Sequence, residues 1–237
     1  MNKIGFSTGI LHSSSLKEKE KIKLFKKLNC TAIELGFGRT EELEGIVFDF
    51  VIKEDLKSFN YVSIHAPWDL NYGNNSESEK VIGILKEINS RTKLDGIVIH
   101  PHKIKDYSVL EKSGLPILIE NMSLKICYKS EPKFFNDIKR KFGFNFVLDI
   151  QHAYDDDPSM NLARELKDAM GDRLAELHIS GNSPTNAHFP TYKSHNREII
   201  SSFISECKGI PRILEGYDRK SGSKDLPEEY SFIKNIN

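Results

Sequence analysis

Three apolar runs in the middle of the chain each end on a residue that can bind a metal ion or move a proton. Pro116-Ile-Leu-Ile-Glu120 ends on a carboxylate followed by Asn121, and Phe146-Val-Leu-Asp149 ends on a carboxylate with His152 three residues on. Leu174-Ala-Glu-Leu-His178 ends on an imidazole. The pattern recurs outside this region, where apolar runs end at His65, His100 and Glu215. A titratable side chain at the end of a buried run is costly unless it is paired or bound to a metal. Imidazole nitrogens mixed with carboxylate oxygens are the ligand set of Zn²⁺, Mn²⁺ or Fe²⁺, whereas Mg²⁺ and Ca²⁺ prefer oxygen alone. Glu120, Asp149, His178 and Glu215 would make one group of three carboxylates and an imidazole. His65 and His100 could hold a second ion, with Glu120 bridging the two. His152 and His188, together with Asn186 two residues before His188, could assemble a third.

Taken singly, each residue has a simpler role. A strand-end histidine is commonly a hydrogen-bonded structural residue, and Asp149 could cap the next helix. Glu34, inside another apolar run, is either a substrate contact or a satisfied interior carboxylate. Trp68 and Tyr154 suit loop or core packing as well as the wall of a substrate site. His12 and His195 read as surface residues, and His102, just after a proline, reads as facing solvent. Six ligand-type residues ending six consecutive apolar runs are not explained one at a time, so the set reads as a metal site.

Such a site needs elements that bring six strand ends together. Short apolar runs separated by helical patterns read as buried parallel strands. Strands are expected at 3–8, 31–36, 61–65, 96–100, 116–120, 146–149, 174–179 and 212–215. Helices are expected at 16–28, 41–50, 52–59, 77–94, 132–142, 160–170, 197–208 and 227–236, with loops at 68–76 and 181–196. Eight strand–helix repeats in this length imply a (β/α)₈ TIM barrel, read as a single domain over residues 1–237. A doubly wound sheet is disfavoured because Thr8-Gly-Ile-Leu-His, after the first strand, carries no glycine-rich phosphate fingerprint. In such a barrel the active site lies at the C-terminal ends of the strands.

Composition narrows the partners. The 237 residues include 34 basic and 34 acidic side chains, which balance to zero. Bulk charge therefore does not favour nucleic acid. No apolar run approaches the length needed to cross a bilayer, and the N-terminus enters a strand pattern without a signal-peptide layout. Three widely spaced cysteines do not form a disulfide framework. A cytoplasmic protein is expected, and the sequence carries no signal of oligomeric state.

The motifs His65-Ala-Pro-Trp68-Asp-Leu-Asn, Ile-His100-Pro, Ile-Glu120-Asn121, Asp149-Ile-Gln-His152-Ala, Leu-His178-Ile and Leu-Glu215 resemble the xylose-isomerase-like TIM barrel superfamily, which includes the family-2 apurinic endonucleases of the endonuclease IV type. That resemblance implies one ion held by His65, His100 and Glu120. It implies a second held by Glu120, Asp149, His178 and Glu215, and a third held by His152, His188 and the residue at Asn186. The family has Asp-x-His where this chain has Asn186-Ala-His188, which weakens the third set. The loop after the second strand, Gly36-Phe-Gly-Arg39-Thr, is too short to resemble the endonuclease loop that enters DNA. The sugar isomerase and epimerase branch implies only the Glu120/Asp149/His178/Glu215 set, two glutamates as acid and base, and a substrate contact from His152. A third branch, multinuclear non-haem iron oxidative enzymes, resembles Arg173-Leu-Ala-Glu-Leu-His178-Ile-Ser-Gly181.

The ligand series exceeds the ~3–4 that one ion needs, so about two divalent ions per chain are expected, zinc first and manganese or iron next. The favoured activity is metal-dependent phosphoester hydrolysis, with Glu120 and Glu215 as catalytic residues. Isomerisation or epimerisation of a sugar or sugar phosphate is the alternative, and iron-dependent oxidation a further one. The substrate is expected to be a small molecule or phosphoester, contacted by Glu34, Trp68, Asn121 and Asn186.

Overall fold

The computed structural model describes residues 3–46, 50–127 and 130–236. Eight strands close into a barrel in sequence order: β1 (Ile4–Ser7), β2 (Ala32–Gly36), β3 (Tyr61–His65), β4 (Gly96–Ile99), β5 (Ile117–Glu120), β6 (Asn145–Asp149), β7 (Leu174–Ile179) and β8 (Arg212–Leu214). Each pairs in parallel with its neighbours, and β8 closes on β1. The helices are α1 (Glu18–Lys27), α2 (Thr40–Glu44), α3 (Phe50–Leu56), α4 (Ser76–Thr92), α5 (Tyr107–Ser113), α6 (Pro132–Lys141), α7 (Ile150–Asp156), α8 (Asn161–Met170), α9 (Arg197–Ser205) and α10 (Leu226–Lys234). This is the (β/α)₈ barrel that the sequence pattern predicts.

Strand alternation sorts the side chains into two layers. On β5, Ile117 and Ile119 join the large apolar cluster between barrel and helices, whereas Leu118 meets Val98 and Val147 inside the barrel. Glu120 continues that inward series at the C-terminal end. On α4 the buried Val81, Ile82, Leu85 and Ile88 recur at helical spacing, and Asn75 caps the helix by accepting from the Ser78 N–H. Truncating one such residue, for example Leu85→Ala, would cost about 2–5 kcal/mol. The barrel wall is tight at Gly5, where a Cβ would lie 1.6 Å from the Ala32 carbonyl oxygen.

Several boundaries differ from expectation. α5 and α7, each seven residues long, were not anticipated. α7 begins directly after β6 because the Asp149 side chain accepts the His152 N–H at 2.8 Å and caps it. β8 stops at Leu214, so Glu215 lies one residue beyond the ladder. The helix expected at 41–50 is much shorter: α2 ends at Glu44, residues 45 and 46 are not helical, 47–49 lie outside the described residues, and residue 50 opens α3. The patch expected at 52–59 is α3.

Candidate metal centre

Parallel strands deliver all their C-terminal ends to one rim, so the last inward residue of each enters a shared bowl. His65, Glu120 and Asp149 end their strands, His178 is next to last in β7, and His100 and Glu215 follow β4 and β8. The structure brings all six together. The Nε2 atoms of His65 and His100 lie 3.3 Å and 3.1 Å from Glu120 Oε2, and 3.1 Å from each other. Across the same carboxylate, His178 Nδ1 lies 2.8 Å from Glu120 Oε1 and 3.4 Å from Glu215 Oε2. Four groups have ligand-type atoms within 4.8 Å of one another: His65/His100/Glu120, Glu120/Asp149/His178/Glu215 and Asp149/His152/His188 in the bowl, and Glu34/Glu176/His178 beneath it. Glu120 belongs to two of them, and so does Asp149.

The electrostatics fit a divalent cation. Glu120, Asp149 and Glu215 converge with ion-pair partners that are all histidines; among the described residues no Lys or Arg neutralises them. Asp149 Oδ2 is buried without a hydrogen-bond partner. An orphaned carboxylate oxygen beside other carboxylates and imidazoles has the bonding need that a Zn²⁺-, Mn²⁺- or Fe²⁺-type ion satisfies. Protons take part of that role in the metal-free protein. Burial pushes Glu215 up to about 8, with Glu34, Glu120 and Asp149 adding to the effect against His178. Burial pulls His65 down, yet the Glu120 hydrogen bond and the nearby carboxylates hold it at about 9. Burial lowers His100 to about 4 against its Glu120 contact. Burial works against Glu120 as well, but His178, His100 and His65 outweigh it and keep Glu120 well below the usual carboxylate range.

A cavity of about 670 Å³ opens over these groups, lined by His65, His100, Glu120, His152, His188 and Glu215 and walled by Trp68, Ile10, Met122, Ile126 and Tyr217. Trp68 is 44 % exposed and stacks on His100 at 5.8 Å between ring centres. His188 holds a left-handed backbone, φ 51°, in the loop after β7. That loop is tied down from outside the barrel. The buried Glu229 of α10 accepts the Thr191 and Tyr192 N–H groups at 2.9 Å each. Lys193 donates to Asp218 at 2.8 Å and to Asp225, and the Tyr217 N–H donates to the His188 carbonyl at 2.8 Å. Gly216 lets the two segments pass: a Cβ there would lie 2.7 Å from the Phe189 carbonyl oxygen.

Four residues expected to touch substrate have different surroundings. Trp68 lines the cavity, and Asn186 lines it from an exposed rim position, its N–H donating to Ser183 Oγ. Asn121 is fully buried and lies outside the lining. Its amide donates to the Asp149 carbonyl at 2.9 Å and accepts the Asp149 N–H at 2.7 Å, which locks β5 to β6 at the bowl. Glu34 is also fully buried, beneath His178 rather than in the cavity; it is an interior carboxylate, but neither of its oxygens has a hydrogen-bond partner. His102 does not simply face solvent; it is half-buried and stacks on His100 at 5.5 Å. His12 is exposed as expected but borders the cavity. Sequence reading overlooked Glu176, which lies 2.8 Å from His178 Nε2. The available signal was its position two residues before His178, on the same inward face of β7.

Fold and bowl together define a closed (β/α)₈ barrel with imidazoles and carboxylates gathered at the C-terminal rim of its strands. No family model and no curated protein matches the chain. Among solved structures, endonuclease IV from Thermus thermophilus superposes with a TM-score of 0.69 at 17 % identity, covering 98 % of this chain and 99 % of that one. A D-tagatose 3-epimerase-like protein gives 0.65 at 17 % identity, with 98 % of each chain covered. A xylose isomerase domain containing protein from Salmonella typhimurium gives 0.65 at 16 %, covering 99 % and 96 %. At these identities the likeness is one of fold. No helix among the described residues is long and apolar enough to cross a membrane.

Proposed function

We propose that the chain is a divalent-metal-dependent enzyme whose bowl hydrolyses a phosphoester. The observation that carries this reading is the sharing of Glu120. One carboxylate oxygen faces His65 and His100, while the other faces the group formed with Asp149, His178 and Glu215. A single-ion centre needs only the second group, and the two extra histidines then have no task. In this reading His65, His100 and Glu120 would hold one ion, and Glu120, Asp149, His178 and Glu215 would hold the other. Ions so held, zinc first and manganese or iron next, supply Lewis acidity and activate a water, so no protein nucleophile is required. Trp68 walls the mouth against the substrate's non-reacting part.

Epimerisation of a sugar or sugar phosphate is a second reading, favoured by Asn186, a neutral amide that lines the same cavity as His152 and His188. Glu120 and Glu215 would then exchange a proton next to a carbonyl while His152 contacts the sugar. Oxidative chemistry with iron stands behind both. Metal analysis of the purified protein, with Glu120→Ala and His100→Ala beside it, tests the centre. A panel of phosphodiesters, abasic-site DNA and ketoses with Zn²⁺, Mn²⁺ and Fe²⁺ tests the chemistry. Expected are about two ions per chain, loss of one in His100→Ala, and phosphoester cleavage. Deuterium exchange into a ketose without cleavage would transfer the assignment to epimerisation, and oxygen uptake with Fe²⁺ would transfer it to oxidation.

A further inference from the structure

Beneath the bowl the barrel holds two carboxylates that no part of the proposed chemistry uses. Glu34 on β2 and Glu176 on β7 are both fully buried, and neither lines the cavity. They converge on one atom, His178 Nε2, at 3.3 Å and 2.8 Å. The other ring nitrogen, Nδ1, faces upward to Glu120 and Glu215. The imidazole therefore spans two layers of the barrel, one nitrogen in the bowl and one in the floor. Only one floor carboxylate makes a hydrogen bond: Glu176 Oε1 pairs with the ring, whereas both Glu34 oxygens lack a hydrogen-bond partner. A carboxylate buried without a Lys or Arg costs several kcal/mol, roughly, unless it serves a bonded group.

We propose that Glu176 is a positioning residue. Its carboxylate accepts the Nε2–H of His178, fixes the ring's tautomer and rotation, and thereby leaves the Nδ1 lone pair to a metal ion in the bowl. The inference rests on the metal-centre reading and adds a residue to it. A ligating histidine whose distal N–H is held by a carboxylate is oriented before the ion arrives and is a better donor. Glu34, without that hydrogen bond, contributes charge to the floor and not orientation.

The test is direct titration with Zn²⁺ and Mn²⁺ of wild type, Glu176→Gln, Glu176→Asp and Glu34→Gln, followed by calorimetry with a competing chelator. Glu176→Gln should weaken the ion held with His178 about 10–100-fold. Glu176→Asp should recover part of that loss, and Glu34→Gln should stay within a few-fold of wild type. Unchanged affinity in Glu176→Gln overturns the inference while leaving the metal centre intact; a wild type that binds no ion removes the centre itself. A second measurement needs no variant. In the Zn²⁺-loaded wild type, a proton–nitrogen spectrum of the imidazoles should show His178 protonated at Nε2, at low field and close to the Glu176 side chain. A proton on Nδ1, or one directed to Glu34, overturns the inference even if Glu176→Gln does not fold.

Discussion

Stripping divalent ions from this protein should leave a fold that weakens as the pH rises from about 6.5 to about 9. The folded bowl holds protons that the unfolded chain has already released. Glu215 is pushed from an ordinary 4.5 up to about 8 by burial among carboxylates. His65 is held at about 9 despite burial, and His178 lies well above its usual value despite burial, through Glu215, Glu120 and Glu34. A group that keeps its proton longer in the folded state contributes stability that is lost as the pH climbs through its folded value. His100, lowered by burial to about 4, acts only between about 4 and 6.5 and in the opposite sense. At about 1.4 kcal/mol per pH unit, Glu215 alone would account for about 2 kcal/mol between pH 6.5 and its folded value of about 8, the rest of its effect falling at lower pH. Because these groups share protons and titrate as a network, a loss of about 2–4 kcal/mol between pH 6.5 and 9 is expected for the whole bowl. That corresponds to a Tm lower by roughly 5–10 °C for a chain of this size. The assay is thermal unfolding in chelator at several pH values, with Glu215→Gln alongside. The variant should lose much of the slope, since its amide has no proton to release. Added Zn²⁺ or Mn²⁺ should reverse the trend, because ligands bind deprotonated and the ion's stabilisation grows with pH. A chelated wild type whose Tm is flat or rises over this range, or a Glu215→Gln variant with the same slope, refutes the reasoning.

Other perturbations separate the parts of the site. Asn186→Asp, which offers the Asp149/His152/His188 group a second carboxylate, should raise the number of tightly held ions by about one in a metal titration; a third ion already held by wild type and lost in His188→Ala would show the amide to be no handicap. Glu229→Ala should leave the buried Thr191 and Tyr192 N–H groups unpaired and lower unfolding free energy by about 2 kcal/mol or more in urea; a change within error would mean that the loop after β7 stands without α10. Trp68→Ala should raise KM for whichever substrate is turned over, yet move Tm by only a degree or two (about 0.5 kcal/mol), because the side chain is 44 % exposed.

The barrel was legible because six of its eight strands, β3 to β8, are short, largely apolar runs that end in or lead straight into a possible ligand, a pattern that survives one-residue errors in boundary. The bowl followed from it, since parallel strands all end on the same rim. What stayed hidden has local causes. α7 was obscured by the double role of Asp149: the residue read as a ligand also caps the helix, and His152 lies in that helix's first turn. α5 is only seven residues long, although Asp106 at its start and Gly114 at its end, φ 70°, were cap signals in plain view. Asn121 stands next to a ligand and so resembles a substrate contact, but its amide is consumed by the Asp149 backbone. Glu176 was read as part of an apolar run. Only strand alternation, applied one step further down the barrel, places it under His178.

The anchoring of the β7 loop has a consequence for how this rim can be exchanged or inherited. His188 and Asn186 reach the bowl on a segment whose backbone is held by Glu229 of α10 and whose Lys193 is gripped by Asp218 and Asp225 after β8. That side of the mouth is one mechanical piece made from stretches far apart in the chain. A chimaera that transplants residues 181–193 alone would import His188 and Asn186 without their moorings, and a donor lacking a carboxylate at the Glu229 position would leave them adrift. The transferable unit is therefore the whole last quarter of the barrel, from β7 through α10. Changes of chemistry on this scaffold should travel as that block, while the His65/His100 side, on other strands, is free to vary separately.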